Sequence, residues 1–465
     1  MNPHARNEHT LLKRACLPIP ASQRVAHYIK IKLSLVAGTI HVEYLNMLRK
    51  SLIILLTFIF SILFFPKQTK AIENPLAAPN NLFGIHILDE NDLEDAANLV
   101  NSQGDWGYVT LVIRADERDT ERWQKVFDKM RRLHLIPIVR IATKQLDGGW
   151  EKPNFDEIDG WVSFLNSLNW VIKNRYLVVG NEPNHSKEWG NQISPEEYAD
   201  YLETLSKKLK SRNQDFFILP AGFDASAPKS KETMNEAEFL KKMVEHKSQI
   251  FENLDGWTSH SYPNPNFSGS QDDVGRGTVL TFEWELKFLK SIGLTKTLPV
   301  FITETGWAHD MDAKANGYKD TETITNNLKG ALELAWNDER IVAVTPFILN
   351  YQTPPFDIFS WKNKDGGFYE FYYEMQKLPK KQGKPVQIVS VDVLSIIFPP
   401  IFPNNGKMVG GIALIKNKGQ TIWTGNEKIR SRKFNLDIEL EPKVIFSDIE
   451  PGETSIAVFS TVLAN

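Results

Sequence analysis

The sequence predicts an α/β protein: a (β/α)8 TIM barrel, followed by a small C-terminal β-sandwich and preceded by a signal peptide or membrane anchor. Three observations predict it. Apolar strand-like runs alternate eight times with amphipathic helix patterns between Asn81 and Leu378. Two of those runs, Leu177–Asn184 and Pro299–Trp307, end in a glutamate followed by Pro or by Thr-Gly. No Gly-x-Gly-x-x-Gly turn follows the first run, which argues against the rival doubly wound sheet.

The elements follow in order. Phe83–Ile87 reads as a first strand, with a helix from Asn91. Tyr108–Arg114 is a second, and Trp123, Val126, Phe127 and Met130 mark one face of the helix Thr120–Leu133. Leu135–Ala142 is a third, followed by a helix through Ile158, Trp161, Val162 and Leu165. Tyr176–Gly180 is a fourth. Ser194-Pro195-Glu196-Glu197 then reads as a capping box, with Ser at N-cap, Pro at N1 and Glu at N3. Phe216–Ala221 is a fifth strand, with a charged helix over Ala237–Phe251. Gly256–Ser261 is a sixth, and the helix Val279–Ile292 closes at Gly293. Leu298–Thr303 and Ile341–Leu349 are the last two strands, followed by helices Ile324–Trp336 and Tyr369–Met375. The barrel thus spans 81–378. A polar, Pro-bearing linker covers 379–385, and the alternating patterns of 386–465 suit a β-sandwich that caps the barrel.

The N-terminus carries a different signal. Met47-Leu48-Arg49-Lys50 is a short basic start, and Ser51–Phe65 is an apolar run broken by Pro66. Thr69 and Ala71 supply small residues for cleavage, so 47–71 reads as a signal peptide. If it is uncleaved, residues 51–65 anchor the chain in the membrane. Residues 1–46 read as a non-structural extension, and 72–80 as a linker. The body is expected to be extracellular or in the cell envelope. Cys16 is the one cysteine, so the exported part has no disulfide and no thiolate metal site. Net charge is −3 over 465 residues, which gives nucleic acid no electrostatic footing.

Barrel enzymes work at the C-terminal ends of their strands. The polar residues predicted there are His86, Arg114, Arg140, Asn181, Glu182, His260, Tyr262, Glu304 and Trp307, then Tyr351 and Trp361. A paired carboxylate at such an end points to glycosidic bond cleavage. Trp123, Trp161, Trp170, Trp284 and Trp336 fall on helices and are expected in the core. Trp150, Trp189, Trp307 and Trp361 fall in loops, where an indole can stack on a sugar ring.

Asn181-Glu182-Pro183 and Glu304, 122 residues apart, resemble the retaining (β/α)8 glycosidases of glycoside hydrolase clan A. The resemblance covers the barrel and not the C-terminal segment. It implies that Glu182 is the general acid/base and Glu304 the nucleophile. It further implies that Asn181 bonds the sugar 2-OH, and that Arg114 and Tyr262 hold Glu304. The substrate is then a β-linked oligo- or polysaccharide, with no cofactor and no metal. A transglycosylase shares every one of these residues. A non-catalytic carbohydrate-binding protein of the cell envelope is a further alternative. A metal-dependent hydrolase is disfavoured, because His86, His185, His260 and His309 are scattered singly and the first strand lacks His-x-His.

Overall fold

The computed structural model describes residues 72–79, 81–309, 317–397, 408–433, 436–443 and 447–462. The extension, the apolar run 51–65 and Cys16 lie outside them. No described helix is long and apolar enough to cross a membrane.

Eight parallel strands run through the main body. They are β1 Gly84–Ile87, β2 Gly107–Arg114, β3 Leu135–Ala142, β4 Arg175–Val179, β5 Phe216–Pro220, β6 Trp257–His260, β7 Val300–Glu304 and β8 Ile341–Val344. Pairing gives a five-stranded sheet in the order β1 to β5 and a three-stranded sheet in the order β6 to β8. Two seams close the ring. At one, Phe83 bridges Val344, and Leu349 N donates to His86 O at 2.9 Å. At the other, Asp255 N donates to Ile218 O at 2.9 Å, and Asp224 bridges His260. Strands buried on both faces need continuous apolar runs, which Leu135–Ala142 and Phe216–Pro220 supply. Inside, Tyr176 packs against Phe217 and Phe301, each at 5.0 Å between ring centroids. The interior is therefore a filled core, and ligands are confined to its mouth.

Helices alternate with the strands: α1 Leu93–Val100, α2 Thr120–Arg132, α3 Ile158–Ser167, α4 Pro195–Arg212, α5 Glu236–His246, α6 Thr281–Ser291, α7 Thr321–Gly330 and α8 Glu370–Lys377. Helix α2 shows why they form. Asp119 accepts from Glu121 N and Arg122 N at its start, and Trp123, Val126, Phe127 and Met130 are buried along one face. Each such side chain contributes roughly 1.5–3 kcal/mol by leaving water. The capping box expected at α4 is corrected. Ser194 stands at the N-cap with Pro195 after it, but its side chain makes no capping bond. The helix after β5 is shorter than expected, ending at His246, with a 3-10 turn over Ile250–Asn253.

The C-terminal segment forms one antiparallel sheet from β9 Val391–Ile397, β10 Met408–Asn417, β11 Ile429–Lys433, β12 Leu436–Lys443 and β13 Thr454–Val462. Its order is β9-β10-β13-β12-β11. A second layer, which a sandwich requires, is not among the described strands. Trp423 is fully buried in this sheet's own core, with Phe459, Leu440 and Ile438. The sheet joins the barrel just before β4: Asn169 Nδ2 donates to Gly419 O at 2.9 Å, and Gln420 Nε2 donates to Ile172 O at 2.8 Å. That is the N-terminal end of the strands, opposite the mouth.

Candidate active site

The mouth is built from strand ends. Past β4 the chain turns sharply, with Gly180 at φ +89° and Glu182 at φ +28°. A glutamate in the left-handed region costs about 1–3 kcal/mol and persists where surroundings over-determine it. Here Glu182 N donates to Gly222 O at 3.0 Å, and Asn184 Nδ2 donates to Asp224 O at 2.9 Å. The loops after β4 and β5 therefore lock each other and hold Glu182 where its Oε1 lies 2.8 Å from His260 Nδ1.

Glu304 ends β7 and is buried. His260 ends β6 between the two acids. Its Nδ1 lies 2.8 Å from Glu182 Oε1 and 3.8 Å from Glu304 Oε2. Tyr262 Oη donates to Glu304 Oε2 at 3.2 Å. His86 Nε2 stands 4.0 Å from Glu304 Oε1. Glu182, His260 and Glu304 each offer a donor atom within 4.8 Å of the others, so they are also the side chains that could share a cation.

Electrostatics separates the groups. Burial pushes the Glu304 carboxyl up, but His260, Arg140, His86 and the Tyr262 hydroxyl outweigh it and hold it below the ordinary carboxylate value. Burial lowers His260, but Glu304 and Glu182 overcome this and raise the imidazole above its usual value. His86 has no such help: burial, assisted by Arg140 and His260 against Glu304, lowers it to about 3. It is therefore neutral. Burial, joined by the nearby Glu182 and Glu304, also raises Glu188, to about 7, against Arg140.

Several buried polar atoms around the acids have no partner among the described protein groups: both nitrogens of His86, Arg140 Nε, Asn181 Oδ1 and Thr303 Oγ1. Such atoms are uncommon in folded proteins, and each can take a water or a polar ligand as partner. A polyhydroxyl molecule matches this mixture of donors and acceptors.

The structure brings His86, Asn181, Glu182, His260, Tyr262 and Glu304 together. Arg114 is not among them. Its guanidinium turns to Asp116 at 3.1 Å and Glu117 at 3.2 Å, acids on its own following turn, and does not hold Glu304. Arg140 is the cation that acts on Glu304 instead. Trp307 and Trp361 are corrected too. Both are buried in the main core; Trp307 donates to Gly269 O at 2.8 Å, and Trp361 packs on Phe371 at 5.1 Å. Trp189 is likewise buried and donates to Glu197 Oε2 at 3.0 Å. These indoles have no free face for a sugar. Tyr351 packs on Phe356 at 5.7 Å, against the cluster of Tyr262, Ala308, Ile348 and Phe359.

Sequence reasoning missed three residues. Phe347 follows β8 and meets His86 edge-on at 5.2 Å. Gly222 gives His260 its place, since a Cβ there would stand 2.2 Å from His260 Cδ2. Glu188 lies six residues beyond Glu182 in an ordinary polar loop, where nothing in the sequence marks it. Arg140 did carry a signal, being the one charge in an otherwise apolar strand.

No protein-family model matches the sequence, and no curated protein matches it. Solved structures that it resembles include a monomeric β-xylosidase from Caulobacter crescentus CB15, with TM-score 0.45 and 11% identity over 83% of this chain and 97% of that one. An endo-β-1,3-glucanase of family GH128 from Pseudomonas viridiflava has TM-score 0.43 and 12% identity over 64% and 97%. A β-mannanase from Thermomonospora fusca has TM-score 0.41 and 13% identity over 65% and 92%.

Proposed function

We propose that the chain is a retaining glycoside hydrolase acting on a β-linked oligo- or polysaccharide. The observation that carries this reading is the approach of the two carboxylates, with donor oxygens of Glu182 and Glu304 within 4.8 Å. A separation of about 5–5.5 Å suits a covalent glycosyl-enzyme, whereas inversion needs about 6.5–9.5 Å to admit a water.

In this reading Glu304 attacks the anomeric carbon. It is held ionised by His260, Arg140, His86 and Tyr262. Glu182 protonates the departing oxygen and then, as a carboxylate, takes a proton from the incoming water. His260 Nδ1 lies 2.8 Å from Glu182 Oε1, close enough to exchange a proton with it. Asn181 Oδ1 and Arg140 receive sugar hydroxyls, and neutral His86 and Phe347 shape the wall. The proposal extends to location: residues 47–71 direct export, and N-terminal sequencing of the secreted chain tests it.

The functional test is cleavage of a panel of aryl β-glycosides by the wild type, Glu182→Gln and Glu304→Gln, with and without a chelator. Loss in both variants and indifference to the chelator support the reading. Full activity in either variant, or its loss with the chelator, overturns it. A Glu304→Gly variant rescued by azide, yielding the inverted glycosyl azide, identifies the nucleophile.

A further inference from the structure

The two acids and the histidine between them have a second chemistry open to them when no sugar is present. Glu182, His260 and Glu304 each offer one donor atom, and the three atoms lie within 4.8 Å of one another. Among the described residues they are the one set of His, Cys, Asp or Glu side chains so placed. His260 Nδ1 stands 2.8 Å from Glu182 Oε1 and 3.8 Å from Glu304 Oε2. Around a tetrahedral zinc ion, with ligands at about 2.0–2.2 Å, neighbouring donor atoms stand about 3.4 Å apart. The two observed separations bracket that spacing. The two carboxylates, at no more than 4.8 Å, need to close by about 1.4 Å at most, which carboxylate rotation supplies. A second observation points to the same ion. His86 is fully buried, and neither of its ring nitrogens has a hydrogen-bond partner among the described protein groups. Its Nε2 faces the other oxygen of Glu304 at 4.0 Å. Carboxylates alone suit magnesium or calcium, whereas added imidazole shifts the preference toward zinc.

We propose that the barrel mouth binds a zinc ion between Glu182, His260 and Glu304, with His86 behind Glu304, and that this ion switches the enzyme off by taking both acids away from the sugar. The inhibitory consequence rests on the glycosidase reading of the site; the binding itself does not. Any proton held by the three groups leaves to the buffer as the ion enters. The Glu182 side chain is 22% exposed while Glu304 and His260 are buried, so the ion enters from the Glu182 side. Arg140, the cation beside Glu304, opposes a further positive charge and holds the affinity in the micromolar range. Sugar and zinc need the same oxygens, so the two exclude each other.

Two measurements test this. In the first, zinc chloride is titrated calorimetrically into the full chain, without a histidine tag and with magnesium in excess. One micromolar site is expected in the wild type. It should weaken at least about 100-fold in Glu182→Gln and Glu304→Gln, and about 10–100-fold in His86→Phe. Thermal melting without metal checks that each variant is folded. X-ray absorption at the zinc edge of the wild type needs no variant, and should show both imidazole and carboxylate oxygen as ligands. No site in the wild type, equal affinity in the variants, displacement by magnesium, or a spectrum without imidazole overturns the proposal. In the second, cleavage of 4-nitrophenyl β-glycosides is followed as zinc is added. Competitive inhibition, with a constant equal to the titrated Kd and full recovery on adding a chelator, supports the proposal. Unchanged turnover with the site saturated overturns it. If the wild type cleaves none of the glycosides, the glycosidase reading fails, while the titration still decides whether these side chains bind zinc.

Discussion

His260 reaches Glu182 across the barrel mouth, Nδ1 to Oε1 at 2.8 Å, while the same nitrogen stands 3.8 Å from Glu304. One imidazole thus couples a proton-carrying acid to a carboxylate that must stay bare.

The pH profile of kcat/KM follows from this. Activity needs Glu304 ionised, and Glu304 sits below its ordinary value of 4.5, so the acid limb falls below that pH. His260, in hydrogen-bond contact with Glu182, sits above its ordinary value of 6.5, so a basic limb from loss of the imidazole proton lies above that pH. In His260→Gln the basic limb is expected to move down, with kcat reduced about 100-fold or more, the usual loss for proton-transfer support. An unmoved limb assigns the proton elsewhere.

Gly222→Ala places a Cβ 2.2 Å from His260 Cδ2 and 2.3 Å from its Nε2. The ring must then leave its seat between the acids. We expect activity to fall at least about tenfold, as for other small displacements of positioned groups. Thermal melting should change little, because the clash is at the mouth and not in the core. Equal activity and an unchanged pH profile would show that His260 can move without consequence.

Tyr262→Phe removes the hydroxyl that donates to Glu304 Oε2 at 3.2 Å. The acid limb should rise toward the ordinary carboxylate value, and kcat/KM should fall about 10-fold, in keeping with a bond to a charged acceptor. Steady-state kinetics between pH extremes reads both effects.

Two arginines separate the sequence-based reading from the structure. Arg114 pairs with Asp116 and Glu117 at half-exposed positions, so Arg114→Ala should leave turnover within about twofold. Arg140 is buried and faces Glu304 and Glu188, so Arg140→Gln should cost about 100-fold or more. Comparable losses in the two variants would reinstate Arg114.

Behind the site, the carboxyls of Glu236 and Glu285 are fully buried together, with Glu285 Oε2 accepting from Trp257 Nε1 at 3.0 Å. Burial raises Glu285 to about 7, against the hydrogen bonds from Ser259, Trp257 and Glu236. Burial and Glu285 raise Glu236 further. Both exceed the ordinary 4.5, so the folded state holds extra protons above that pH. The pair's own contribution to stability is then fully present below about pH 4.5 and is lost as pH rises through about 7. Glu236→Gln supplies a permanent donor to Glu285 and should lift the melting temperature by a few degrees at alkaline pH and little near pH 5. A uniform shift at both pH values would contradict proton sharing.

Much of this was readable from the chain. Each of the eight strands was placed to within a few residues, except that the last ends at Val344 rather than Leu349. Buried parallel strands require unbroken apolar runs, and such runs are visible in one dimension. Glu182 and Glu304 were readable because each interrupts a run at its end. Ser194 looked like a cap because residue type favours it, yet capping depends on a rotamer that sequence does not specify.

Tryptophan was the least readable residue. Trp307 and Trp361 follow strands, as sugar-binding indoles do, but the chain bends them into the helix layer. Whether a loop side chain points inward or outward is set by contacts far away in sequence. Phe347 and Gly222 matter for that reason: one faces a histidine from β1, the other makes room for a histidine from β6.

By itself the sequence determined the alternation of strands and helices, the end of the barrel at which chemistry belongs, and the two acids. Local periodicity and abrupt termination of apolar runs carry that information. Only the tertiary structure decided which groups surround those acids. It exchanged Arg114 for Arg140 and put His260 between the carboxylates. Those relationships join residues from different strands, and distance across a closed ring is a property of the ring.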